Sequence, residues 1–143
     1  MKASVIALAV SAVFAAQTAS AQVYQRCDAS WMEKGREIVK ETCGDLTEIQ
    51  IVSQGATEES LMQAYQTKEQ ANTQYAEYAQ CVQGYIQNGL RANLPVETLD
   101  FATCAHQWAE EQRTEVRVQF GMACIDWEDR NRKSFSHACF PNF

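Results

Sequence analysis

An all-α domain, stapled by disulfides and built on a long antiparallel helical hairpin, is what this sequence predicts, and three observations point to it. Turn-forming residues are scarce: six glycines and two prolines, Pro95 and Pro141, serve the whole chain, where a sheet protein needs a turn at the end of each short strand. Apolar and aromatic residues recur at alternating steps of three and four over two long stretches, the period of a helix with one buried face. All six cysteines, Cys27, Cys43, Cys81, Cys104, Cys124 and Cys139, fall after residue 26. An even count of that kind reads as three disulfides in an exported chain.

Export is predicted from the first residues. Met1-Lys2 is followed by an apolar run and then by Ala19-Ser20-Ala21, a small-x-small ending typical of a secretory signal peptide. The run covers about 14 residues, short of the roughly 20 that span a bilayer as a helix. Residues 1–21 are therefore expected to be cleaved before Gln22. Residues 22–143 are expected to form a single helical domain, soluble and either periplasmic or secreted, with no membrane span. The formal charge of the whole chain is −6, and loss of Lys2 with the signal deepens it by one. An acidic surface repels phosphate backbones and anionic lipid, which argues against nucleic acid as a partner.

The elements follow in order. Ser30-Trp31-Met32-Glu33 has the form of a capping box, so a first helix is expected over residues 31–42, with Gly44 as its stop. Residues 45–56 read as helical or irregular, carrying Leu46, Ile49, Ile51 and Val52. Thr57 is a good N-cap, and Glu58 and Glu59 suit the positive end of a helix. That helix is expected to run to Gln87, with Leu61, Ala64, Lys68, Ala71, Tyr75, Tyr78, Val82 and Tyr85 on its inner face and Asn88-Gly89 as its end. Asn93-Leu94-Pro95 opens the next helix, proline being tolerated in a first turn. Its stripe is Phe101, Cys104 or Ala105, Trp108, Gln112, Val116 and Phe120. Gly121 is expected to break or kink it, and a last short helix is expected over residues 126–136.

The short link between the two long helices predicts that they fold back antiparallel. Six cysteines allow fifteen connectivities, and one pairing is preferred on this geometry. Cys81 and Cys104 lie at roughly 10 and 15 Å from the turn, at 1.5 Å per residue, so they are nearly level. The middle of the chain is polar for a core helix, rich in glutamine. Disulfides worth about 2–4 kcal/mol each would compensate for a thin core.

Candidate chemistry is sparse. There is no Cys-x-x-Cys, no Gly-x-Ser-x-Gly and no phosphate-cradling glycine loop, so no catalytic residue and no cofactor is assigned. His106 and Glu110 share a helix face, which reads as a surface pair. Cys104-Ala105-His106 and His137-Ala138-Cys139 match no zinc spacing, and no metal is expected. Asp126, Glu128 and Asp129 beside Arg130, Arg132 and Lys133 read as a solvated helix face. The C-terminal Phe143 is a feature shared with outer-membrane barrels, but no alternating strands accompany it.

The most distinctive residues are Tyr65, Tyr75, Tyr78 and Tyr85, with Trp108 and Phe120 facing them across the hairpin. Tyrosine combines apolar area with a hydroxyl that needs a partner and is enriched at interfaces. These six residues are expected to form a contact surface or an aromatic-lined cavity. The function expected is a non-catalytic interaction module, an inhibitor, adaptor or chaperone-like factor acting on an envelope or extracellular protein. The alternative is a carrier for a small apolar ligand held between helices, and a small hydrolytic enzyme ranks third.

Overall fold

A computed structural model describes residues 27–51 and 55–140. The expected signal peptide, the cut before Gln22 and Phe143 lie outside them. The described residues hold three helices and no strand: α1 (Ala29–Cys43), α2 (Glu58–Arg91) and α3 (Val96–Asn131). None of these helices is long and apolar enough to cross a membrane.

α2 and α3, of 34 and 36 residues, are about 50 Å long at 1.5 Å per residue and form the antiparallel hairpin. Their facing pairs run in opposite directions along the chain: Leu99 lies against Gly89, Trp108 against Tyr75 and Tyr78, and Phe120 against Tyr65. Tyr75, Val82, Ala105, Ala109, Val116 and Phe120 lose all contact with solvent between the two helices.

Helix ends show which local signals win. At α1 the cap is Asp28, two residues before the expected Ser30. Its carboxylate accepts from the Trp31 backbone N–H at 2.9 Å and from the Ser30 hydroxyl at 2.7 Å. An ionised carboxylate is the stronger acceptor, and it reduces Ser30 to a donor. Gly44 ends α1 as expected, at φ 82°. Thr57 caps α2 as expected, but its reciprocal partner is Ser60. The expected end at Asn88-Gly89 is overrun to Arg91. Gly89 is buried against the side chains of Leu94 and Leu99, so it permits close packing at the turn and does not stop the helix. The chain reverses instead at Asn93, which takes the left-handed conformation at φ 54°.

Gly121 neither breaks nor kinks α3 into two helices. The aromatic ring of Phe140 lies where a side chain at position 121 would stand, so the glycine is a seat for the chain's own tail. The expected short helix over residues 126–136 is the last part of α3, which runs on to Asn131 and ends where Arg132 turns left-handed at φ 53°. Residues beyond it leave the helix and fold back. Phe135 enters the core against Phe120 and Trp127, and His137 stacks on Tyr65 with centroids 3.9 Å apart.

The disulfides are Cys27–Cys104, Cys43–Cys81 and Cys124–Cys139. The preferred Cys81–Cys104 pairing is therefore corrected. Cys81 and Cys104 are each taken by one end of α1, which lies across the hairpin with its start tied to α3 and its end tied to α2. The level of two residues on facing helices does not settle pairing when a third element covers both. Close approach of α1 is made possible by Gly35, where a Cβ would overlap the Phe101 carbonyl oxygen of α3. Trp31 stacks on Phe101 with centroids 4.4 Å apart, and Val39 is fully buried.

Residues 45–51 form no helix. Side chains of the hairpin satisfy this segment's backbone. The Tyr75 hydroxyl accepts from the Ile49 N–H at 3.0 Å and donates to the Thr47 carbonyl at 3.1 Å. Gln119 accepts from the Ile51 N–H at 2.8 Å; just before α2, Arg130 donates to the Ala56 carbonyl at 2.9 Å. Non-helical backbone over a core must find such partners.

Candidate functional site

The six aromatic residues singled out in the sequence are brought together, but mostly inside. Tyr75, Tyr78, Trp108 and Phe120 are all buried. Both tyrosines meet the Trp108 ring edge-on, at 5.7 and 6.0 Å between centroids. Burial holds both phenols above the ordinary value of 10.0. Arg36 of α1 lies over the Trp108 ring, its guanidinium carbon 4.2 Å from the ring centroid. The buried Nε of Arg36 has no hydrogen-bond partner among the described residues, so the π-face is a principal compensation for its charge. Tyr65 and Tyr85 are half-buried at the margin of the core.

The other candidates are separated or consumed. His106 and Glu110 are both half-buried, and Glu110 pairs with Arg113 at 3.5 Å. Cys104 and Cys139 are in different disulfides, which dissolves the mixed Cys/His grouping. Cys124, Glu128 and Cys139 come within metal-ligand reach of one another. Both sulfurs are bonded to each other, and the Glu128 carboxylate accepts from the Phe135 N–H at 2.7 Å, so this group secures the tail. Of the charged run after it, Asp126 and Arg130 form an i,i+4 pair at 3.0 Å.

Two surface features were not singled out from the sequence. The first is an apolar stripe on the outer face of α3: Val118, Met122 and Ile125 are all exposed, Met122 by 58%. Their spacing of four and three puts them in one row, and the exposed Phe140 ring seated at Gly121 adjoins it. The signal was available, because the inward stripe Val116 and Phe120 already accounts for one face of the same helix.

The second is a basic groove of about 330 Å³ between α2 and α3, lined by Lys68, Glu69, Asn72, Arg113 and Arg117. Lys68 stood on the expected inner stripe, where a lysine is out of place, and that oddity was the available signal. It is only 4% exposed. Its ammonium reaches the Glu69 carboxylate and lies 4.5 and 4.9 Å from the centroids of Tyr65 and Phe120.

No family model, curated protein or solved structure matches this chain.

Proposed function

We propose that the protein is a non-catalytic protein-interaction module that works outside the cytoplasm, as a periplasmic or secreted factor. The observation that carries this reading is the exposed row Val118, Met122 and Ile125 with Phe140 beside it. A helix of a disulfide-framed chain has here a second apolar face in addition to the one it packs inward. Contiguous exposed apolar area of this kind is a mark of association surfaces. Met122 at its centre is an adaptable contact residue. The three disulfides fit an oxidising compartment. The aromatic residues proposed for a ligand cavity are packed against one another and against Arg36, which favours the interaction reading over the carrier.

The test is site-directed photo-crosslinking of the oxidised protein in an extract of the compartment that receives it, with the reactive group at position 122 or, as a control, at the exposed position 87. The reading expects a discrete adduct from position 122 alone, competed by the unmodified protein and not by an Ile125→Lys variant. Equal labelling from both positions, or none from position 122, overturns it. Native mass spectrometry of the same preparation tests the carrier alternative through a reproducible bound mass.

A further inference from the structure

The basic groove is the least expected feature of an acidic protein. Its floor is Lys68, nine-tenths buried, on the face of α2 that otherwise carries Leu61, Ala71 and Tyr75. A methionine would fill the same space without a charge. Taking an ammonium out of water is costly unless it is well paired. The partners here are one carboxylate, that of the half-exposed Glu69, and the faces of Tyr65 and Phe120.

The wall opposite is Arg113 and Arg117, one turn apart on α3. Arg113 is oriented from two sides: its Nε donates to Asn72 Oδ1 at 2.7 Å, and its Nη1 reaches Glu110 at 3.5 Å. The bond to Oδ1 also fixes the Asn72 amide, whose NH2 group is left as a donor at the groove. Lys68, Arg113 and Arg117 thus line one space, with the half-exposed carboxylate of Glu69 beside Lys68 and that of Glu110 beside Arg113. Side-chain donors held in place by other side chains are what distinguishes a binding site from a solvated charge cluster. Guanidinium pairs match tetrahedral oxyanions in geometry and charge.

We propose that this groove binds a small, doubly charged tetrahedral oxyanion: phosphate, sulfate or a phosphomonoester. Lys68 and Arg113 contact it directly, Asn72 acts as the neutral donor and Arg117 closes the charge. The anion displaces Glu69 and Glu110, both of which can swing into solvent. This site shares no residue with the apolar row on α3 and does not depend on the interaction reading.

The test is isothermal titration of the oxidised protein with inorganic phosphate, sulfate and glycerol phosphate, paired with thermal melting at ionic strength matched with chloride. Saturable binding is expected, with a rise in melting temperature that saturates with it. Tighter binding of glycerol phosphate than of phosphate identifies an organic phosphomonoester as the ligand; equal binding identifies the free anion. In an Arg113→Gln/Arg117→Gln variant the affinity falls by at least about tenfold, while a control Arg132→Gln variant binds like the parent. A Lys68→Met variant serves as a second check: it keeps its helical circular dichroism and loses the binding. Phosphate and sulfate also stabilise proteins by exclusion from their surfaces, but that rise does not saturate and persists in the double variant. Absence of saturable heat with all three anions, or unchanged binding in the double variant, overturns the proposal.

Discussion

Gly35 of α1 and Phe101 of α3 meet backbone to backbone: a Cβ at position 35 would overlap the Phe101 carbonyl oxygen and crowd the Ala105 amide. A glycine in mid-helix is normally a weakness, costing roughly 0.5–1 kcal/mol against alanine. Here the close approach lets Trp31 and Val39 reach the hairpin, and the glycine is required.

A paired substitution separates the two effects. Gly35→Ala is expected to destabilise by about 2–3 kcal/mol, because the obstacle is main chain and only movement of a whole helix relieves it. Gly84→Ala, at a helical position where a Cβ meets nothing within 4 Å, is expected to stabilise by up to about 1 kcal/mol. Urea denaturation of both variants with disulfides intact checks the opposite signs.

Tyr75 acts as a clamp on the chain between α1 and α2. Tyr75→Phe keeps the ring against Trp108 and removes the hydroxyl that serves Ile49 and Thr47. The loss is expected to be about 1 kcal/mol, since a part-buried amide is left without its acceptor. Hydrogen exchange should accelerate at Ile49 while the middle of α2 stays protected. Uniform acceleration across the hairpin would contradict a local role.

Disulfide connectivity can be read directly, because trypsin cleavage sites place every cysteine on a different peptide. An unreduced digest is expected to give three linked pairs, Cys27 with Cys104, Cys43 with Cys81 and Cys124 with Cys139. Replacing one pair at a time with serine should cost about 3 kcal/mol for the 15-residue span and about 4.5 kcal/mol for the 77-residue span, on loop entropy.

Stability is expected to fall on the alkaline side. Burial raises the folded-state pKa of Tyr75 and Tyr78 above 10.0, so the folded chain holds protons that the unfolded chain has released. Their contribution is complete below pH 10.0 and is lost as pH rises through the folded values. A Tyr75→Phe/Tyr78→Phe variant should show a flatter alkaline limb in its urea midpoint. On the acid side, the Lys40 ammonium lowers the Asp45 carboxyl and the Ser30 hydroxyl lowers that of Asp28, both below 3.8. That support is present above pH 3.8 and is lost as pH falls through the folded values.

Signals confined to a single turn of backbone were legible in the sequence. Thr57 caps α2 and Gly44 stops α1 because each acts within a few residues of itself. Signals whose meaning depends on a distant partner were not. Gly89 and Gly121 resemble helix ends until Leu99 and Phe140 are seen packed on them. Ser30 is the local exception: Asp28, two residues earlier, offers the stronger acceptor and takes the cap. For the candidate sites, the tyrosine stripe and its inward side were visible as periodicity, but the placing of Arg36 over Trp108, the ring that Tyr75 and Tyr78 meet, depends on the crossing of α1. Lys68 was visible too, as a charge on an apolar face. Its relation to Arg113 depends on the register of the hairpin, which spacing alone leaves open.

Cys27 and Cys43 are the first two cysteines of the chain, and they bracket α1. A polypeptide oxidised as it emerges from its N-terminus would meet these two thiols before either of their true partners. Once wound, the 15-residue helix holds its ends about 22 Å apart, far beyond the 4.4–6.8 Å over which a disulfide closes. α1 thus acts as a spacer bar against the earliest wrong cross-link. The two bridges that it anchors are nested, one span inside the other, so neither strand of chain has to be threaded through a loop already shut.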